Sequence, residues 1–250
     1  MALRNFTTPL GDYEISYIIE GDAALPKILI LHGWGANKEL MRRAFAPFLG
    51  DFRALYMDLP GFGASKNNRV LDTANYAAIV RAALAELDFT PIVIAGHSFG
   101  GKIATLLDPP ILVLMSSAGI PKRKSFTVRA KIRLAKSPLG KIAKKLAARE
   151  FHEKIRTNDA RGMSEVMYET LKKVVDEDFS EIFAARRGKT LIFWGKNDNQ
   201  MPLYCGERAH ALIAGSEFFA MSGDHFFFAA RTKEIAEKIG AAMRDLGSGV

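Results

Sequence analysis

Gly96-His97-Ser98-Phe99-Gly100 sets a serine between two glycines directly after the apolar run Pro91-Ile92-Val93-Ile94-Ala95. A strand ending in such a turn holds a hydroxyl clear of the sheet. The flanking positions need glycine because the backbone folds back where a Cβ would clash. Three fixed positions are a weak pattern alone, and an ordinary glycine-rich turn is the alternative. The strand before it and the helix start at Gly101-Lys102-Ile103-Ala104 favour a nucleophile. A serine hydroxyl is a poor nucleophile until a base takes its proton, and that base must be held in one tautomer by a third group. His225 follows the last candidate strand, and Asp198 follows the one before it. The chain order Ser98, Asp198, His225 is the order this strand–turn–helix setting calls for.

Each choice has rivals. His210 falls in a helical surface stretch, His97 is expected to pack beside the turn, His32 to stabilise a glycine loop, and His152 to sit in solvent. Asp224 adjoins His225 and is poorly placed to reach its neighbour's ring, while Asp58 precedes Leu59-Pro60-Gly61-Phe62-Gly63 and reads as a loop anchor. Attack on a carbonyl creates an oxyanion that needs preorganised donors. The backbone N–H of Phe99 is one candidate, and that of Trp34, in His32-Gly33-Trp34-Gly35, is the second. The Trp34 side chain would then face the pocket.

The elements that must position these groups are short apolar runs alternating with helices. Ile15 to Ile19 reads as a strand of an early hairpin. Lys27 to Leu31, Phe52 to Met57, Ile92 to Ala95, Ile111 to Met115, Thr190 to Trp194 and Glu217 to Met221 read as further strands. Tyr76 to Leu87 and Thr232 to Leu246 read as helices. This alternation predicts an α/β fold with a mostly parallel sheet and helices on both faces. Ligands of such sheets sit at the carboxyl ends of the strands, where every polar motif here falls. Residues 120–187 break the alternation and read as a helical insertion after the sixth sheet strand, a cap over the turn. The core is then 1–119 with 188–250.

Composition bounds the rest. The 250 residues are 48% hydrophobic and 25% charged, with one cysteine and five histidines. A lone Cys205 excludes an internal disulfide framework and points to a reducing, cytoplasmic setting. Scattered His and Cys offer no metal-ligand spacing, so neither metal nor cofactor is expected. No apolar run is long enough to span a membrane, and the first nine residues lack the apolar segment of a signal peptide. Residues 121–156 hold thirteen Lys/Arg against two acids, a net +11 within a chain of +8, so the remainder is −3.

His32-Gly-Trp-Gly35, Asp58-Leu-Pro-Gly-Phe-Gly-Ala-Ser65, Gly96-His-Ser-Phe-Gly-Gly101, Phe193-Trp-Gly-Lys-Asn-Asp198 and Gly223-Asp-His225 together resemble the α/β-hydrolase superfamily. They run in the family order over nearly the whole chain. One departure is visible: only Lys102 to Asp108 separate Gly101 from Pro109, so the helix after the serine is unusually short. Within this resemblance the nucleophile discriminates. Haloalkane dehalogenases and related epoxide hydrolases carry aspartate at the turn, and dienelactone hydrolases carry cysteine. Serine leaves esterases, lipases, thioesterases, carbon–carbon bond hydrolases and cofactor-free perhydrolases. The His-Gly-Trp-Gly and cap arrangement is also similar to the carboxylesterases that remove the methyl group from pimeloyl-carrier protein.

The resemblance implies a serine hydrolase cleaving a small carboxylic ester through an acyl-enzyme. A carbon–carbon bond hydrolase of a vinylogous diketone acid would use the same three residues and would need a basic group facing the pocket. A different class of reading makes the basic cap a docking surface for an acidic carrier protein or an anionic surface. Nucleic acid is not expected as a partner, because no recognition motif accompanies the charge.

Overall fold

The computed structural model describes residues 2–122 and 163–247. Eight strands form one sheet in the order β1-β2-β4-β3-β5-β6-β7-β8. They are β1 (Ala2–Thr8), β2 (Gly11–Glu20), β3 (Lys27–Leu31), β4 (Arg53–Met57), β5 (Val93–His97), β6 (Ile111–Met115), β7 (Lys189–Gly195) and β8 (Glu217–Met221). β1, β2 and β4 pair antiparallel, and β4 through β8 are all parallel. The mostly parallel sheet expected from the alternation is therefore present.

β1 was not legible as a strand in its own right. Its sequence, Ala-Leu-Arg-Asn-Phe-Thr-Thr, buries only Phe6 and Thr8 because it lies on the sheet edge. The interior strands alternate between two cores. Leu29 and Leu31 of β3 and Ile94 of β5 point into one, while Ile28, Ile30, Val93 and Ala95 point into the other. Strands buried on both faces show continuous apolar runs, which is why these were readable.

The described helices cover both faces. α1 (Lys38–Phe45) and α7 (Phe228–Gly247) pack on one core through Met41, Phe45, Ile235 and Ile239. α2 (Thr73–Glu86), α3 (Phe99–Leu107) and α6 (Leu203–Leu212) pack on the other through Tyr76, Ile79, Ile103 and Ala209. α2 begins with a reciprocal cap: the Asp72 side chain accepts from Asn75 N–H while the Asn75 side chain accepts from Asp72 N–H.

Of the expected cap, residues 123–162 lie outside the described residues, and with them His152 and nearly all of the basic segment. The remainder forms α4 (Glu165–Val174) and α5 (Ser180–Ala185), without a strand among the described residues. Both follow β6 and precede β7, the place in the chain expected for the insertion.

Candidate active site

Ser98 occupies the residue between β5 and α3 with φ 50° and ψ −113°. A non-glycine residue in this region carries backbone strain that its surroundings must hold in place. Two backbone bonds to the neighbouring strand's end do so: Ser98 N–H donates to Met115 at 3.0 Å, and Ala118 N–H donates to the Ser98 carbonyl at 3.0 Å. The flanking glycines are obligatory. A Cβ on Gly96 would sit 2.3 Å from the Gly100 carbonyl oxygen, and one on Gly100 would sit 2.5 Å from that of His32. A serine before a helix usually caps it, yet the Ser98 side chain makes no cap bond, which leaves its hydroxyl to the cavity. The short α3 is braced at its far end, where Arg186 reaches the Asp108 carboxylate and the Pro109 carbonyl.

His225 and Asp198 meet as a pair. His225 Nδ1 donates to Asp198 Oδ2 at 2.7 Å, which leaves Nε2 as the basic nitrogen. Asp198 Oδ1 accepts from the N–H groups of Gln200 at 2.8 Å and Met201 at 2.7 Å. Burial alone would raise this carboxyl. The bonds from His225, Met201 and the Ser116 hydroxyl outweigh it, and the group is held below the ordinary carboxylate range. The two loops are tied together by Asn197 N–H donating to the Gly223 carbonyl at 2.9 Å.

Ser98 and His225 line one cavity of about 180 Å³, with Trp34, Phe99, Leu171 and Val174 in its wall. Trp34 and Phe99 pack edge to face, with ring centroids 5.5 Å apart. The Gly33 backbone runs against the turn so closely that a Cβ there would lie 3.1 Å from Ser98 Cβ and 2.9 Å from His97 Nδ1. The backbone of the Trp34 loop thus lies beside the start of α3, whose first N–H groups are the unsatisfied donors of a helix N-terminus. A larger polar groove of about 720 Å³, bordered by Asp12, Ser65 and Asn67, contains neither Ser98 nor His225.

Four of the rivals, His32, Asp58, His210 and Asp224, are engaged elsewhere. His32 Nδ1 donates to the Gly33 carbonyl at 2.7 Å and Nε2 accepts from Leu59 N–H at 3.0 Å, so this buried ring holds its loop. Burial pushes its pKa down to about 4. Asp58 is a loop anchor. It accepts from Lys38 Nζ at 2.7 Å, Lys38 N–H at 2.7 Å and Ala64 N–H at 2.9 Å. His210 lies exposed on α6 and bonds Ser216, and Asp224 accepts from Phe226 N–H.

Two features were missed. His97 does more than pack: Nε2 donates to the backbone carbonyl of His225 at 2.9 Å, tying the serine turn to the histidine loop. Its pKa is driven down to about 3, first by burial and then by the neighbouring His225 ring, so it stays neutral. Lys102, one turn after Ser98, is buried at 1% exposure and also lines the cavity. It donates to Glu177 at 2.6 Å and to the Val174 carbonyl. The available signal was a single charge within the apolar helix Phe-Gly-Gly-Lys-Ile-Ala-Thr-Leu-Leu. Among the described residues no group of three or more His, Cys, Asp or Glu side chains could hold a metal ion. No helix among them is long and apolar enough to cross a membrane.

The sequence pattern of the Alpha/beta hydrolase family matches residues 28–238. This chain belongs to that family. An uncharacterised protein of Mycobacterium bovis is 28% identical to this alpha/beta hydrolase over 90% of this chain and 78% of its own. A pimeloyl-[acyl-carrier protein] methyl ester esterase of Pseudoalteromonas atlantica is 36% identical, over 34% of this chain and 33% of its own. Among solved structures, a thermophilic esterase from Thermogutta terrifontis superimposes with a TM-score of 0.72 at 19% identity, over 98% of this chain and 99% of that one. At that identity the likeness concerns the fold.

Proposed function

We propose that this alpha/beta hydrolase cleaves a carboxylic ester through an acyl-enzyme. Ser98 Oγ attacks the carbonyl carbon while His225 Nε2 takes its proton. Asp198 keeps the ring in the required tautomer and stabilises the imidazolium that forms. The backbone N–H groups of Phe99 and Trp34 receive the developing oxyanion, a contribution worth about 2.7–4 kcal/mol per donor in comparable sites. Collapse of the intermediate expels the alcohol, which receives the proton from His225. Water, activated by the same ring, then releases the acid. Residues 120–187 serve as the cap, and its described part brings Lys122, Leu171, Val174 and Val175 to the cavity wall.

The observation that carries this reading is the 2.7 Å bond from His225 Nδ1 to Asp198, with the ring lining the same cavity as Ser98. The name of the Pseudoalteromonas atlantica relative, a methyl ester esterase, points the same way. The carbon–carbon bond hydrolase reading uses the same residues and differs in the bond broken. Hydrolysis of p-nitrophenyl esters from acetate to dodecanoate, by the wild type and Ser98→Ala, tests the proposal. Turnover in the wild type that is lost in the variant supports it. Equal turnover in both, or none in either, overturns it.

A further inference from the structure

The cavity beside Ser98 is uneven in charge. Its polar lining includes two lysines, Lys102 and Lys122, and among the described residues no carboxylate contributes to it. Lys102 is the fourth residue after Ser98, on the helix that the serine precedes, about 6 Å further along the axis. Its side chain is 2% exposed, and its ammonium lies over the rings of Phe99 and Phe179 at 5.5 and 5.2 Å and spends two donors on Glu177 and the Val174 carbonyl. An ammonium carries three donors, so one remains. Glu177 does not line the cavity and is itself committed: it also accepts from the Thr73 hydroxyl and, at 3.3 Å, from Thr73 N–H. Lys122 is exposed, and no carboxylate among the described residues lies within ion-pair distance of it.

A buried ion pair contributes little stability compared with apolar side chains of the same volume. Its consequence here is a hydrogen-bond donor fixed at the cavity wall, since the pair with Glu177 is neutral overall, while exposed Lys122 supplies the positive charge with no carboxylate partner among the described residues. In the same cavity wall, Trp34, Leu171 and Val174 offer a surface for methylene groups.

Resting on the serine-hydrolase reading above, we propose that the acyl part of the substrate carries a free carboxylate. That carboxylate is held between Lys102 and Lys122, a few methylene groups from the ester carbonyl. The substrate class is then a monoester of a dicarboxylic acid, and the two lysines are specificity-determining residues.

The test compares mono-p-nitrophenyl esters of four- to eight-carbon dicarboxylic acids with p-nitrophenyl butanoate to octanoate. The expected result is a kcat/KM ratio of about 10 or more for the carboxylated ester at one chain length, carried mainly in KM and reduced by added salt. Lys122→Met should bring the ratio near 1, and Lys102→Met should lower it where that variant folds. A neutral ester preferred at every length, or a ratio unchanged in Lys122→Met, overturns the proposal. Calorimetric titration of Ser98→Ala with monomethyl adipate and with methyl hexanoate decides it without turnover. Selective binding of the monoester, lost in Ser98→Ala carrying Lys122→Met, supports the proposal even where the esterase reading fails. Equal binding of the two ligands overturns it even where that reading holds.

Discussion

Lowering the pH from 7.5 to 5.0 removes about 4 kcal/mol of stability from this protein, because two imidazoles are buried in their neutral form. His32 is held down to about 4, chiefly by burial, with the Gly33 carbonyl and Asp58 pulling the other way and Lys38 adding to the depression. His97 is held down to about 3 by burial and then by His225, with the His225 carbonyl and Asp198 opposing. Both folded values lie below the ordinary 6.5, so the unfolded chain takes up the protons first as pH falls. The stabilisation is complete above pH 6.5 and is lost progressively towards the folded values. A fall of about 1.5 pH units below 6.5, at about 1.4 kcal/mol per unit, gives about 2 kcal/mol for each ring. Urea unfolding at pH 5.0, 6.0 and 7.5 reads this directly. With a denaturant slope of about 3 kcal/mol/M, the midpoint falls by about 1.3 M. His97→Gln removes one of the two protonation sites and should halve the fall. A midpoint that does not move between pH 7.5 and 5.0 would refute the claim that these rings are buried neutral.

Asp198→Asn should fold normally and lose about 10⁴-fold in kcat, since the amide no longer selects the tautomer that leaves His225 Nε2 basic; steady-state ester hydrolysis measures it. Far-UV dichroism unchanged alongside a loss of less than tenfold would count against the assigned role. Lys38→Met should destabilise the protein by about 3–5 kcal/mol, because it strands the fully buried Asp58 carboxylate opposite an apolar side chain. Thermal or urea unfolding checks this, and a loss below about 1 kcal/mol would show that the loop does not depend on the pair.

The candidate site was more legible in this sequence than the way it is held together. Gly96 and Gly100 were readable because each occupies a position where a Cβ would strike backbone, a constraint that leaves only one residue type. The parallel strands were readable because burial on both faces demands unbroken apolar runs, as in Ile-Leu-Val-Leu-Met of β6. β1 was missed because an edge strand with two buried side chains carries no such demand.

Ser98, Asp198 and His225 could each be picked from their place after a strand, since a parallel sheet gathers all its strand ends at one edge. The 2.7 Å contact between Asp198 and His225 is a relation across 27 residues that only the folded loops create. The bond from His97 to the His225 carbonyl spans 128 residues, and that from Lys102 to Glu177 spans 75. Residue types and local spacing determine which groups are available and which backbone turns are possible. Which of these groups meet, and that Lys102 is buried against the cavity, depends on packing between distant segments, and the tertiary structure alone decided that.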